Sequence, residues 1–331
     1  MKRVFLRIFH LLQKICGAVK IFPKSVTEFG FRIAVYIFFD AVIPPGKSEK
    51  YINTIFRYVN NFEKPLVDQY SKEQYIPNTK MKHAFDKVPV WCCWWQGEEK
   101  MPEVVAMCHK RLKQVIPDNA ELHMITEKNW RDYIDLPYHI IKKFEAKKIT
   151  VTTLSDIIRM SLLSSYGGLW IDATVFVSCD SLPEEFISRD FFAQSMYDPV
   201  KHQKEACKGR WCGFLISGSQ DNILFRFVRD AFFLWWKEHD DIIDYVLIDY
   251  LILVAYENLD SVREMVDALP SNNVDIFGMY QVLNNPYSDE LWNELTSTTV
   301  MHKLTYKMDL KKYTDDGQET LYRHLLEKVN P

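Results

Sequence analysis

Residues 153–178 read TLSDIIRMSLLSSYGGLWIDATVFVS. The segment predicts a helix, a tight turn and a strand. Ser155 has the side chain of a helix N-cap, and neither Gly nor Pro interrupts the residues up to Gly167. Apolar side chains at Leu154, Ile157, Ile158 and Leu162 recur at helical spacing. Gly167 is placed to cap that helix in a left-handed conformation, and Gly168 permits a close chain reversal. Beyond the turn the pattern alternates. Leu169, Ile171, Ala173, Val175 and Val177 face one way; Trp170, Asp172, Thr174 and Phe176 face the other. Asp172 thus stands in an otherwise apolar strand, where a charge is costly unless it lies at the strand end or meets a cation. Asp156 and Arg159, three apart, share a helix face. Two plain explanations fit the same residues: a helix ion pair favoured by the N-terminal dipole, and a solvated aspartate on a strand edge.

A chain of 331 residues suffices for one large domain with an appendage, or for two small domains. A net charge of −3 argues against a nucleic-acid partner. Nine Trp raise the aromatic share to 14%, supplying rings that stack on sugars or bases and equally fill cores. The seven cysteines, at 16, 92, 93, 108, 179, 207 and 212, form neither a CxxC pair nor a disulfide framework, which suits a reducing cytoplasm. No GxGxxG or P-loop motif supports a dinucleotide or NTPase reading.

Residues 1–25 carry Lys2, Arg3, Arg7, Lys14, Lys20 and Lys24, no acidic residue, and interspersed Phe5, Leu6, Ile8, Phe9, Leu11, Leu12 and Ile15. Charge breaks the apolar run, so the pattern predicts a basic amphipathic helix and not a signal peptide. A second apolar run, Phe31 to Ile43, is shorter than the roughly 20 residues a bilayer crossing needs. Residues 1–80 are therefore read as a helical, membrane-associating extension, of which Met1 to about Pro45 lies on the inner membrane surface. Anionic lipid attracts each Lys or Arg there by on the order of 1 kcal/mol. The other reading is a helical hairpin packed on the following domain. Pro44-Pro45-Gly46 marks a break, and residues 47–80 read as helical.

Residues 81–331 read as the main domain. Val88 to Trp95 is an apolar first strand ending at Gln96-Gly97. Pro102 opens a helix, Glu121–Ile125 is a strand, Thr126 caps a following helix, and Pro137–Ala146 is a basic helix. Phe191–Met196, Trp211–Ile216 and Val274–Phe277 read as strands. Asp221–Glu238, Asp241–Leu259 and Asp289–Leu295 read as helices, and residues 198–210 as a polar, mobile loop. The alternation of short strands and helices predicts an α/β fold with a mostly parallel central sheet flanked by helices. Such sheets bind ligands at the carboxyl ends of their strands.

Ser155-Asp156-x-x-Arg159 followed by Tyr166-Gly167-Gly168-x-Trp170-x-Asp172 resembles the sugar-nucleotide motif of DxD-type glycosyltransferases. Gly-Gly-Leu-Trp-Ile-Asp-Ala-Thr is most similar to the capsular polysaccharide synthesis glycosyltransferases, relatives of initiating yeast mannosyltransferases and clostridial toxin glucosyltransferases. The similarity spans about Val88 to Lys307.

The resemblance implies a GT-A-like fold and a retaining hexosyl transfer from a UDP- or GDP-sugar to a lipid-linked oligosaccharide, in capsule or cell-surface polysaccharide assembly. It places Asp172 near ribose, diphosphate and any Mn²⁺ or Mg²⁺. Asp156 and Arg159 fall to the donor sugar, and Trp94 or Trp95 to the base. Lys303 and Lys307, in His302-Lys303-Leu304-Thr305-Tyr306-Lys307, fall to the diphosphate, and His302 to the metal. Asp249 faces the sugar or the acceptor, or is a structural helix residue. Thr174 departs from the family pattern: it stands where the second Asp of DxD belongs, and a hydroxyl is the weaker ligand. Either Asp172, His302 and the diphosphate hold the metal, or lysines replace it. The implied location is cytoplasmic, peripheral on the inner face of the cell membrane. Two competing readings are a catalytically silent sugar-nucleotide-binding or scaffold subunit, and a toxin-like transferase acting on protein.

Overall fold

The computed structural model describes residues 2–42 and 47–330, with side chains described from Leu12 onward. The break expected at Pro44-Pro45-Gly46 lies outside the described residues, as do the side chains of Lys2, Arg3 and Arg7. The chain opens with helices α1 (Lys2–Phe29) and α2 (Phe31–Val42), an antiparallel pair turning at Gly30, then α3 (Glu49–Phe62) and α4 (Lys64–Tyr70). Residues 71–80, expected to continue as helix, are irregular, as is the chain on to residue 87. Among the described residues no helix is long and apolar enough to cross a membrane.

Next come β1 (Val88–Cys93), α5 (Glu103–Val115), β2 (Ala120–Ile125), α6 (Tyr138–Glu145), α7 (Val151–Tyr166), β3 (Gly168–Ile171) and β4 (Val175–Val177). Then follow α8 (Glu185–Ser188), β5 (Phe191–Ala193), β6 (Leu215–Gly218), α9 (Ile223–Glu238), α10 (Leu247–Asn258) and α11 (Asp260–Asp267). The chain ends with α12 (Gly278–Gln281), α13 (Asp289–Thr296), β7 (Met301–Lys303) and α14 (Leu321–Val329).

The central sheet has the order β2-β1-β3-β6-β5. β1 runs parallel to β2 and to β3, while β6 is antiparallel to both β3 and β5. Four strands therefore share one direction and β6 alone is reversed, so the sheet is mostly parallel, as expected for an α/β fold. Both faces are covered. Trp91, Trp170 and Ile216 project into one core with Leu154, Ile157 and Ile158 of α7 and residues of α3, α9 and α10. Val90, Cys92, Leu169, Ile171 and Leu215 project into the other, with residues of α5 and α14. Each fully buried side chain of this size stabilises the fold by about 1.5–3 kcal/mol relative to exposure.

Several expected boundaries move. Thr150 caps α7, its hydroxyl accepting the Thr153 N–H at 3.1 Å, so Ser155 lies inside the helix. The single alternating strand from Leu169 to Val177 is two strands. The chain leaves the central sheet at Asp172 and enters a second, two-stranded sheet as β4, paired antiparallel with β7. Alternation continues across this switch because both sheets bury apolar residues of the same core. Thr126 enters a turn and a short 3-10 segment, not a helix; β6 starts at Leu215; and residues 274–277 form turns, not a strand. Residues 241–246 form an irregular loop before α10, where a helix was expected.

Two glycines fix the centre. Gly167 has φ +72°, and a Cβ there would lie 2.5 Å from the Lys82 carbonyl oxygen. Gly168 has φ +99°, and its Cβ would lie 2.1 Å from the Pro89 carbonyl oxygen. Only glycine lets β3 approach β1 this closely while the chain reverses out of α7.

Candidate active site

β3 ends at Ile171, so Asp172 is the first residue past the carboxyl end of a strand in the mostly parallel sheet. Its N–H still donates to Phe214 O at 2.9 Å, and its own carbonyl accepts from the Val175 N–H at 2.9 Å, closing a turn. That turn aims the carboxylate into a cavity of about 400 Å³, within the range of small-molecule sites.

Arg159 reaches this carboxylate from α7. Its Nη1 is 3.0 Å from Asp156 Oδ1 and its Nη2 is 3.3 Å from Asp172 Oδ1. The guanidinium also sits 4.8 Å from the Trp170 ring, whose Nε1 donates to Asp172 Oδ1 at 2.9 Å. From β7, Lys303 Nζ reaches Asp172 Oδ2 at 2.5 Å and lies 4.6 Å from the Phe214 ring. Burial alone would raise the Asp172 carboxyl, but Lys303 and Arg159 together bring it below the usual carboxylate range. Asp156 behaves in the opposite way. Burial lifts it to about 6, with Arg159 opposing and the Asp172 charge adding.

The cavity wall carries Cys93, Trp94, Trp95 and Gln96 from the end of β1, and Thr305, Tyr306 and Lys307 from the segment after β7. Trp94 meets Tyr306 edge to face, with centroids 5.4 Å apart. Trp95 is buried against Phe144 at 5.6 Å. Burial pushes the Cys93 thiol to about 12, which leaves it a poor nucleophile.

Of the residues singled out from sequence, the structure gathers Asp156, Arg159, Asp172, Trp94, Trp95, Lys303 and Lys307 on this one cavity. Two fall elsewhere. His302 neighbours Lys303 in β7, so the period-two alternation of a strand turns it away from Asp172. It is 0% exposed, its Nε2 lies 3.1 Å from Ser178 Oγ, and burial lowers it to about 4. Asp249 on α10 accepts from Trp211 Nε1 at 3.1 Å and does not line the cavity. Burial raises it to about 7, with Trp211 opposing and Asp156 adding.

The lining also includes Tyr245, which the sequence did not single out, and Thr174, which stands at the second DxD position. Tyr245, 70% exposed, enters from the α9–α10 loop. Thr174 lines the cavity beside Asp172. The only earlier sign of Tyr245 was a tyrosine in an Asp-rich segment, and the helical reading of that segment hid it.

These residues fit a divalent cation poorly. Among the described residues Asp172 and Asp156 are the only carboxylates on the cavity, and both already meet cationic nitrogens. Among the described residues no three His, Cys, Asp or Glu side chains cluster as a metal site. The cavity instead offers three cationic side chains, Arg159, Lys303 and Lys307, against two carboxylates. That balance suits an anion.

A family model described as capsular polysaccharide synthesis protein matches residues 45–325. The chain belongs to that family. It is a glycosyltransferase. The match takes in α3, α4 and everything through most of α14, and begins after α2. No curated protein matches the chain. Among solved structures, the PaToxG glycosyltransferase aligns at 8% identity with a TM-score of 0.36, covering 77% of this chain and 100% of its own. That likeness is too distant to bear on the chemistry here.

Proposed function

We propose that this family member transfers a hexose from a UDP- or GDP-sugar to a lipid-linked oligosaccharide, with retention at the anomeric carbon. One observation carries the reading: Arg159 joins Asp156 to Asp172 at a strand's carboxyl end, with Lys303 on the other Asp172 oxygen. A nucleotide sugar presents hydroxyls, which a carboxylate–arginine pair can orient, and a diphosphate, which Lys303 and Lys307 can neutralise. Asp172 holds Lys303 and Arg159 in place and, being ionised, accepts hydrogen bonds from ribose or sugar hydroxyls. Trp94, partly exposed, offers its ring to the base more readily than buried Trp95.

In the transfer, the bond from C1 to the diphosphate oxygen breaks and a bond from C1 to the acceptor oxygen forms. The acceptor proton passes to the departing phosphate oxygen on the same face, so no separate base is assigned. Lysine and arginine take the charge-neutralising role of a metal, which the donor set does not favour. His302 has no part in this scheme.

The apolar, basic N-terminal helices support a peripheral position on the inner membrane face. Leu12, Val19, Ile21, Phe31 and Phe39 are exposed there, beside Lys14, Lys20 and Lys24.

A thermal-shift screen of UDP- and GDP-hexoses, each with Mn²⁺ and with EDTA, tests the reading. A native-state ligand raises the melting temperature. At least one donor does so in EDTA; no shift with any donor, in either condition, refutes nucleotide-sugar binding.

A further inference from the structure

The loop that carries Tyr245 is strapped to the N-terminal helices along its length. Lys24 of α1 pairs with Asp241 at 2.7 Å. Glu28 of α1 accepts the Asp240 N–H and lies 3.4 Å from His239 Nδ1. Asp244 is the main anchor. Its side chain is 2% exposed, Lys47 Nζ is 2.6 Å from its Oδ1, and the Tyr51 hydroxyl of α3 donates to its Oδ2 at 2.9 Å. The Val246 N–H donates to Asp244 Oδ1 at 3.0 Å, closing the loop on itself. A buried carboxylate with this many partners is costly to displace, so the loop is held rigidly.

The next residue does the opposite. Tyr245 is 70% exposed and lines the cavity. A large exposed ring on a fixed loop, lining the same cavity as Asp156, Arg159 and Asp172, offers an apolar face beside polar groups. That pairing matches a pyranose, whose C–H face stacks on an aromatic ring while its hydroxyls find polar partners. Trp94 and Trp95 arise from a different element, the end of β1, and so leave Tyr245 free for a second sugar.

We propose that Tyr245 is the platform for the acceptor sugar, and that the Lys24, Glu28, Lys47 and Tyr51 straps set its position. The surface that meets lipid and the site that meets the lipid-borne acceptor are thereby one connected unit. The inference rests on the glycosyl-transfer reading above.

Saturation-transfer NMR tests it, with UDP or GDP and methyl β-D-gluco- and galactopyranosides in one tube. Wild type transfers saturation to a nucleotide and to at least one glycoside. In Tyr245→Ala the glycoside signal falls at least fivefold relative to the nucleotide signal, while Tyr245→Phe keeps the wild-type ratio. Tyr51→Phe, which removes one Asp244 contact, lowers the ratio about twofold or more. A wild type that binds nucleotide but no glycoside, or a Tyr245→Ala ratio equal to wild type, overturns this inference alone. A fall of the nucleotide signal with the glycoside signal in Tyr245→Ala assigns the ring to the donor and overturns it too. A wild type that binds neither nucleotide removes the donor reading and this inference with it.

Discussion

Lys303 Nζ lies 2.5 Å from Asp172 Oδ2, although the two residues are 131 positions apart in the chain. The pair joins the end of the central sheet to the small β4–β7 sheet. It also places one fixed cation and one fixed anion on the cavity wall. Because Arg159 holds the other oxygen, Asp172 is the only group that keeps two cations together there.

Removing the charge at Asp172 leaves Arg159 and Lys303 facing a neutral amide. Asp172→Asn is expected to lower kcat/KM for donor turnover by about 100-fold or more, equivalent to about 2.7 kcal/mol. Steady-state release of nucleoside diphosphate measures it. A loss under fivefold would show that the carboxylate does not serve the reaction.

Lys303→Ala removes one of the two cations that hold the Asp172 carboxyl below its usual range. A depressed carboxyl contributes stability above its unfolded value, near 3.9, and loses it as pH falls through the folded value. The variant therefore shifts the acid limb of the activity and melting profiles to higher pH. Unchanged acid limbs in both profiles would exclude Lys303 as the group that holds Asp172 ionised.

Asp249 works with the opposite sign. Burial raises it to about 7, so its contribution to stability is complete below about 3.9 and is lost as pH rises through 7. Asp249→Asn keeps an acceptor for Trp211 Nε1 and removes the titration. The variant is expected to gain melting temperature relative to wild type between pH 5 and pH 8. A difference that stays constant across that range would contradict the burial argument.

Gly213 faces the same network. A Cβ there would lie 3.2 Å from Arg159 Nη1 and 3.6 Å from Ile248 Cδ1. In Gly213→Ala the guanidinium must give way by a few tenths of an ångström between Asp156 and Asp172. The expected result is a several-fold loss of donor turnover with the melting temperature changed by a few degrees at most. Full activity in the variant would show that Arg159 need not keep this position.

The fold class was legible because periodicity survives in short local segments, as in α5, α9 and the β1 run. The Asp156, Arg159 and Asp172 group was legible for a related reason: α7, the glycine turn and β3 are consecutive, so local spacing sets their geometry. Lys303 is different. Only its position in the terminal motif hinted at it, because its contact with Asp172 is made by tertiary packing. The sheet switch at Asp172–Thr174 was invisible, since an apolar alternation reads the same in one strand or two. His302 was drawn toward the site by its neighbours in the motif, and strand alternation turns it away. Tyr245 was hidden because an Asp-rich, aliphatic segment mimics a helix. In the structure Asp241 pairs with Lys24 of α1, and Asp244 with Lys47 and with Tyr51 of α3.

Donor turnover requires that the Asp156–Arg159–Asp172–Lys303 centre receive a nucleotide sugar. Isothermal titration of UDP- and GDP-hexoses into wild type and Asp172→Asn, in EDTA, measures this directly. Saturable binding of one donor, weakened at least tenfold by the substitution, is the predicted result. No binding of any donor, or equal affinity in the two proteins, would contradict it.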